Sequence, residues 1–499
     1  MKNINADPNP EFLIKSIAEQ GYSLETAIAD LIDNSITANA TNIELITIQD
    51  QEPFILCLAD NGDGMSENEL IKNLQFPSKS PEEIRLKGDL GRFGLGLKTA
   101  SFSQTRSFTV ISRKNNSQVY YGYTWDVDYL KENGWKIIIN SQEEISELLK
   151  LHQKESSNHL SQFEDFKPNT LIFWKGLYKF ENYIHVSKKQ EAFKNEITQT
   201  TCEYLSIVFH RFMENKKRKL KIRVNNIFLE PFNPFPNENN SEIRILEPIQ
   251  KNIGDDIIKI QGFVLPNKAI KESIDKNNLW CSRTKSLMDM EGIYIYRSDR
   301  LILFGGWNNI IRKNPKLQLA RLKVEIGNRV DHLLHLNVAK SSINIPYDLK
   351  RSFYREIVNL QTEAKKEYHN YGIQVLTNKQ IGQVEKLFSK VATNKGVLLV
   401  VNDEFKLLKS FKESLTKEQK SIFNIILKIT TNLINTIRLV DEVEIISNQK
   451  NTTDINDLRV AIIELKKLGL SIESIKIQIL QNIGIDIKNL PDQISELLN

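Results

Sequence analysis

The sequence predicts an α/β protein in three regions: residues 1–212, residues 213–350, and a mainly helical stretch at residues 351–499. Three observations carry that reading. Short apolar runs bounded by turn residues recur between residues 42 and 326, at strand length. Helix-period segments are interleaved with them, which favours layers of sheet and helix over an all-β chain. Between residues 347 and 490 there is no proline, and apolar residues return at helical spacing in residues 421–439 and 455–468.

The elements follow in order. Residues 10–40 read as helical, with Ser23 able to cap a helix that runs to about residue 38. Strands are expected at residues 42–48 and 53–59, then a short helix near residues 67–73 and another at residues 97–103. Further strands are expected at residues 107–112, 119–125, 135–139 and 170–174. A long helical connector covers residues 187–214. The second region holds strands at residues 220–224, 257–264, 292–296, 301–303 and 322–326, and the third a single strand at 396–401.

Composition narrows the class. At 499 residues, 40% of them hydrophobic and 26% charged, the chain can build several packed domains and does not read as disordered. The net charge of +5 permits a local nucleic-acid face without arguing for one. The three cysteines, Cys57, Cys202 and Cys281, form no CxxC pair, so neither a zinc site nor a disulfide framework is expected. The polar N-terminus offers no apolar core of a secretory signal, and no apolar run has membrane-spanning length. The expected location is cytoplasmic, with no membrane partner.

Three motifs carry the chemistry. The first is Asp30-Leu31-Ile32-Asp33-Asn34-Ser35. On a helix Asp30, Asp33, Asn34 and Thr37 share a side, while Ile28, Leu31 and Ile32 can face a core. The Asn34 side-chain oxygen is a hard ligand suited to Mg²⁺. Asp30, one turn earlier, can orient and deprotonate a water aimed at a phosphate. A solvated acidic helix explains the same residues. The second motif is Asp60-Asn61-Gly62-Asp63-Gly64-Met65, directly after an apolar strand. An aspartate there can accept from the exocyclic amine of adenine, and the glycines let the backbone turn tightly. An EF-hand loop is excluded, because Ile71 stands where its twelfth-position glutamate belongs. The third runs Gly88 to Lys98 and contains Gly91-Arg92-Phe93-Gly94-Leu95-Gly96-Leu97. Glycines before a helix expose successive amide N–H groups suited to a triphosphate, and Lys98 or Arg92 can add positive charge. The glycines do not follow the first strand of a βαβ unit, and no GxxxxGK[ST] loop occurs.

Taken together and in this order, the motifs resemble the N box and the first two glycine boxes of the GHKL superfamily. That group comprises DNA gyrase, heat-shock chaperone ATPases, histidine kinases and MutL. The resemblance implies a Bergerat-fold α/β sandwich holding ATP between a helical layer and a mixed sheet. It implies Asn34 as the Mg²⁺ ligand, with Asp33 beside it. Asp60, Gly62, Gly64 and Met65 would surround the base, and Gly91 to Lys98 would form the phosphate lid. Asn169-Thr170-Leu171 resembles a fourth box, whose threonine neighbours the adenine-reading aspartate. Asp30 stands where hydrolysing members usually carry glutamate. The one missing methylene sets its carboxylate back by roughly 1.5 Å, so slow turnover is expected.

Gly292 to Ile302, containing Tyr296-Arg297-Ser298-Asp299-Arg300-Leu301, resembles a strand–turn–strand of MORC and MutL-type ATPases. Leu336 to Ser342 resembles the loop carrying their transducer lysine, here Lys340. These imply an S5-like transducer domain in which Lys340 senses the γ-phosphate. A histidine-kinase reading fits poorly, since none of the seven histidines precedes the first motif. The likeness to prokaryotic MORC/MutL-like ATPases implies ATP-dependent homodimerisation and partner proteins from a defence operon. The run Lys216-Lys217-Arg218-Lys219-Leu220-Lys221-Ile222-Arg223 can neutralise phosphates of DNA, or be the solvated end of a helix. No endonuclease motif is visible, so residues 351–499 read as a dimerisation or partner-binding region.

Overall fold

The computed structural model describes residues 8–19, 21–75, 96–157, 163, 166–181, 185–225, 227–235, 242–253, 256–273, 279–327, 347–377, 387–393, 396–439, 454–467, 469, 471–476, 480 and 490–498. The chain divides into two compact units, residues 1–360 and 361–499.

The first unit opens with helices α1 (Pro10–Ala18) and α2 (Leu24–Thr37). Ser23 caps α2, and its partner in the capping box is Thr26. Strands β1 (Asn42–Ile48) and β2 (Ile55–Asp60) lead to α3 (Glu67–Leu74) and α4 (Gly96–Gln104). Strands β3 (Ser107–Ser112) and β4 (Tyr121–Asp126) precede α5 (Val127–Asn133) and the short β5 (Ile138–Ile139). Helix α6 (Gln142–Ser157) and strand β6 (Thr170–Lys175) follow. Helices α7 (Tyr178–Glu181), α8 (Lys189–Asn195), α9 (Cys202–Val208) and α10 (His210–Glu214) make the connector, and β7 (Lys221–Val224) and β8 (Ile227–Phe228) return to the sheet. The connector expected as one long helix is interrupted, with a π-helical stretch at Glu196–Thr201.

These strands form one eight-stranded sheet in the order β5-β4-β3-β6-β2-β1-β7-β8. Only the β1–β7 neighbours run parallel; the other pairs are antiparallel. Period-two alternation serves both faces. Leu45, Leu56, Leu58, Ile172 and Trp174 join the main core with the α2 residues Ile28, Leu31 and Ile32. Ile46, Cys57, Ala59, Leu171 and Phe173 pack on the opposite face against Ile145 of α6. Two expectations change here. The strand at residues 221–224, read as part of the second region, belongs to this first sheet. Glu44 stands opposite Arg223 in the β1–β7 register, and the two are fully buried as an ion pair. Helix α6 was not expected from the sequence. Its signal was the Ser141/Glu144 capping pair followed by Ile145, Leu148 and Leu149.

The same unit contains a six-stranded sheet. It is built from β9 (Arg244–Ile245), β10 (Ile249–Ile253), β11 (Asp256–Val264), β12 (Gly292–Arg297), β13 (Arg300–Phe304) and β14 (Ala320–Ile326). Its order is β10-β11-β14-β12-β13, with β9 on β11. The short helices α11 (Ala269–Glu272) and α12 (Leu287–Met290) lie between β11 and β12, and α13 (Tyr347–Thr377) comes after β14.

The second unit is partly helical. A hairpin of β15 (Phe388–Thr393) and β16 (Gly396–Val401) accompanies α14 (Lys406–Ser414), α15 (Lys417–Leu439), α16 (Ile455–Lys467), α17 (Ile472–Ile475) and α18 (Asp492–Leu498). Only β16 was expected as a strand. The Asn435 amide of α15 bonds both backbone groups of Leu399, which satisfies part of the hairpin edge. Among the described residues no helix is long and apolar enough to cross a membrane.

Candidate functional site

The site is assembled at one end of the first sheet. Asp60 is the last residue of β2, Thr170 the first of β6, and Ser112 the last of β3. The registers set Asp60 opposite Thr170 and Thr170 opposite Ser112, so the three stand abreast across neighbouring strands. Neighbours across a row share a face of the pleat, and this one faces α2. The Ser112 and Thr170 hydroxyls are 2.9 Å apart, and Met65 donates its backbone N–H to Ser112 at 3.0 Å.

Asp60 is buried and accepts from the Gly62 N–H at 2.8 Å and from the Ser35 hydroxyl at 2.9 Å. Burial raises its carboxyl to about 6, against the lowering effect of those two donors. The glycines of this turn are dictated by close approach. Gly64 has φ +64°, and a side chain there would run into the Arg113 carbonyl. A Cβ at Gly62 would lie 2.6 Å from the Ala38 carbonyl oxygen. Asn61 braces the turn by accepting from the Thr41 and Asn42 amides, each at 2.9 Å. Asn169 donates to the Gly62 carbonyl at 2.7 Å.

Helix α2 supplies the second wall. Asp30 and Asp33 are buried, whereas Asn34 and Thr37 are exposed. The Tyr22 hydroxyl donates to Asp30 at 2.7 Å, and the negative charge of Asp30 adds to burial in pushing the Tyr22 phenol well above its usual range. Asp33 Oδ1 accepts from Arg300 Nε at 2.8 Å. The first residue of α4, Gly96, is the third wall: a Cβ there would sit 3.8 Å from Asp30 Oδ2. Leu97 is half-buried against the main core. Lys98 is buried and donates to the Asn73 and Gln75 carbonyls, at 2.8 and 2.6 Å. It therefore ties the start of α4 to the carboxyl end of α3, and burial lowers its ammonium to about 8.

The structure thus places Asp60, Gly62, Gly64, Met65 and Thr170 on the first wall, Asp30, Asp33 and Asn34 on the second, and Gly96, Leu97 and Lys98 on the third. Gly91, Arg92, Phe93, Gly94 and Leu95 lie outside the described residues, as does Lys340. Three partners had no role assigned from the sequence: Tyr22, Ser112, and Ser35 at the end of the first motif. Each is found only through its hydrogen bond.

The chemistry of these donors fits a nucleotide. A buried carboxylate stands at a strand end, and an exposed amide oxygen and a second carboxylate share one helix side. A helix N-terminus beginning with glycine faces that carboxylate. Residues 22–159 match the family model described as histidine kinase-, DNA gyrase B-, and HSP90-like ATPase. Residues 22–159 are thus similar to the ATP-binding domain of GHKL ATPases. The chain is similar to the mouse ATPase MORC2B, 36% identical over 94 residues, 18% of this chain and 9% of that protein. It is similar to the chaperone protein HtpG of Alcanivorax borkumensis, 31% identical over 128 residues, 23% of this chain and 21% of that one. HtpG of Alkaliphilus oremlandii is 25% identical over 190 residues, 34% and 28% of the two chains. The chain therefore spans less than a third of the length of these curated relatives. The eight-stranded sheet with its helical layer is the α/β sandwich of a GHKL domain.

The basic run is reduced by the fold. Arg223 is buried against Glu44, Leu220 and Ile222 are core residues, and Arg218 donates to Asn39 at 3.0 Å. Lys216, Lys217, Arg218, Lys219 and Lys221 remain exposed.

Proposed function

We propose that the chain is a Mg²⁺-dependent ATPase whose GHKL domain changes conformation with the nucleotide it holds. The observation that supports this most is the row Asp60–Thr170–Ser112, tied through Ser35 to the helix that bears Asn34 and Asp30. In this reading Asp60 accepts from the adenine amine, and Thr170 supports it from the next strand. Asn34 offers its side-chain oxygen to Mg²⁺, a metal that neutralises phosphate charge when bound. Asp33 keeps the exposed side of the helix oriented. Gly96 and Leu97 present the α4 N-terminus to phosphate, completed by Gly91, Arg92, Phe93, Gly94 and Leu95. Lys98 holds the two ends of that segment together through α3, and reaches a phosphate only by releasing those carbonyls. Asp30 orients and deprotonates the attacking water. Tyr22 holds it by a donated hydrogen bond, which weakens it as a base and agrees with slow turnover.

The wider reading rests on the same site. ATP closes the lid, Lys340 senses the γ-phosphate, and an S5-like transducer at residues 213–350 passes the state to a homodimer. That dimer acts as a clamp on DNA, within a prokaryotic defence or restriction system. Lys216, Lys217, Arg218, Lys219 and Lys221 are exposed cations available to a phosphate backbone. The held Asp30 favours one competitor, a nucleotide-sensing scaffold or chaperone-like protein acting on a protein partner with little turnover.

The test is ATP binding by calorimetry, phosphate release, and mass by light scattering, on wild type, Asp30→Ala and Asn34→Ala, with and without duplex DNA. Asn34→Ala is expected to lose Mg²⁺-dependent binding. Asp30→Ala is expected to bind ATP and turn it over roughly a hundredfold more slowly. Wild-type turnover unchanged by Asp30→Ala removes Asp30 as the base. ATP-dependent dimerisation with salt-sensitive DNA retention supports the clamp; binding without turnover, dimer or DNA supports the scaffold.

A further inference from the structure

The Asp33–Arg300 pair is the feature that the nucleotide chemistry above leaves unexplained. Arg300 is the first residue of β13 in the second sheet, yet its Nε lies 2.8 Å from Asp33 on α2, with both side chains buried. Its Nη1 donates to the Leu301 carbonyl at 2.6 Å, its guanidinium lies 4.6 Å from the Phe209 ring centroid, and Tyr204 lies within its electrostatic reach. Asp30 also lies within its electrostatic reach.

The turn that presents Arg300 is fixed from its other side. Ser298 and Asp299 have φ of +48° and +69°, the left-handed pair of a tight hairpin turn. Arg211 of α10 donates to Asp299 at 3.2 Å and to Glu325 of β14 at 2.8 Å, and stacks 3.6 Å from the Tyr296 ring centroid. The guanidinium is thus held at the end of a braced hairpin. A movement of α2 is passed on to β12 and β13 instead of being absorbed by a flexible side chain.

Stability alone is a weak reason for such a pair, because apolar replacements of buried ion pairs are often neutral or stabilising. Its position is more telling. Asp33 lies one turn after Asp30 and directly before Asn34 on α2. We propose that Arg300 is a positioning residue that, through Asp33, couples the nucleotide state of α2 to the second sheet. The inference rests on the proposed ATPase function of the same site. When nucleotide occupies the pocket beside Asp30 and Asn34, α2 shifts against a fixed guanidinium, and the strands on either side of residues 298–299 respond. Without Arg300 the pocket still binds ATP, but Asp30 loses its alignment and the second sheet no longer registers the nucleotide.

The experiment uses the full chain as wild type, Arg300→Gln, Arg300→Lys, Asp33→Asn and the Asp33→Asn/Arg300→Gln double variant. ATP with Mg²⁺ is the probe. Three quantities are read: binding by calorimetry, kcat and KM for phosphate release, and the ATP-dependent change in hydrogen exchange of residues 292–304. Arg300→Gln is expected to bind ATP within about threefold of wild type while kcat falls roughly ten- to a hundredfold, since misalignment acts on the chemical step. The exchange response of residues 292–304 is expected to vanish. Asp33→Asn is expected to match it, the double variant to be no worse than either, and Arg300→Lys to recover part of both signals. Unchanged kcat with an intact exchange response in Arg300→Gln overturns the coupling and leaves the ATPase reading standing. Additive losses in the double variant overturn it as well. A wild-type chain that does not bind ATP overturns the ATPase reading, and the coupling falls with it. If wild type binds ATP without turnover, the exchange response alone decides. If Arg300→Gln does not fold, Arg300→Lys and Asp33→Asn decide: wild-type kcat and response in both overturns the coupling.

Discussion

Two buried carboxylate–guanidinium pairs serve this molecule differently. Glu44 and Arg223 join β1 to β7 inside one sheet, and the Glu44 oxygens are further met by His152 at 2.9 Å and by Ser156 at 3.0 and 3.1 Å. Burial drives His152 down to about 4, so it is neutral at physiological pH and serves as a hydrogen-bond partner. That cluster lies on the α6 face of the sheet, opposite the face that carries the Asp60 row. Asp33 and Arg300 instead join elements of two sheets, one turn from a carboxylate and one residue from an exposed amide. The same chemistry ties two neighbouring strands of one sheet in the first case and, as proposed, relays a signal in the second. The environment of the pair separates the roles.

That comparison can be broken or sharpened. Glu44→Ala strips Arg223 of its carboxylate partner inside the sheet. It is expected to cost about 3–5 kcal/mol of unfolding free energy by urea denaturation, with ATP affinity unchanged per folded molecule. A large affinity loss in the folded fraction would erase the distinction between the two pairs.

Gly64→Ala is next. Its φ of +64° and the Arg113 carbonyl leave no room for a methyl. A loss of about 2 kcal/mol is expected, together with weaker ATP binding, because the turn that shapes the Asp60 end must shift. Calorimetry on the folded variant checks both effects.

The third prediction concerns pH. Burial raises Asp60 to about 6, so its ionised, accepting form is complete above that value and is lost as pH falls through it. ATP affinity is therefore expected to fall roughly tenfold per unit below about pH 6. The Asp60→Asn variant should bind weakly at every pH and show no such step. A flat wild-type profile between pH 5 and 7 would remove Asp60 as the base reader.

The smallest effect belongs to the exposed lysines. Joint replacement of Lys216, Lys217, Lys219 and Lys221 by alanine is expected to weaken DNA retention and flatten its salt dependence, while ATP turnover without DNA stays unchanged. Equal retention by wild type and variant at low salt would show that DNA does not use this face.

Much of the first sheet was legible. Residues 42–48 and 107–112 were read as strands and the observed bounds agree; each carries apolar residues on both faces because each face packs on its own core. Asp60 and Thr170 were legible as strand-end residues next to turn chemistry. Helix α6 was not, because its apolar side is narrow and polar and charged residues together dominate its composition. The interrupted connector was also hidden, since a π-helical stretch keeps the apolar spacing of a helix nearly intact.

Local sequence by itself determined the polar side of α2, the glycine turn after β2 and the glycine start of α4, since each depends on residues within one or two turns. Pairing across the chain was decided only by the tertiary structure. Arg223 looked like one more member of a solvated basic run until β7 lay beside β1 and buried it on Glu44. Arg300 looked like a turn residue until the second sheet carried it to Asp33. A buried charge is tolerated only where a distant partner compensates its desolvation. Periodicity along the chain carries no record of which partner that will be.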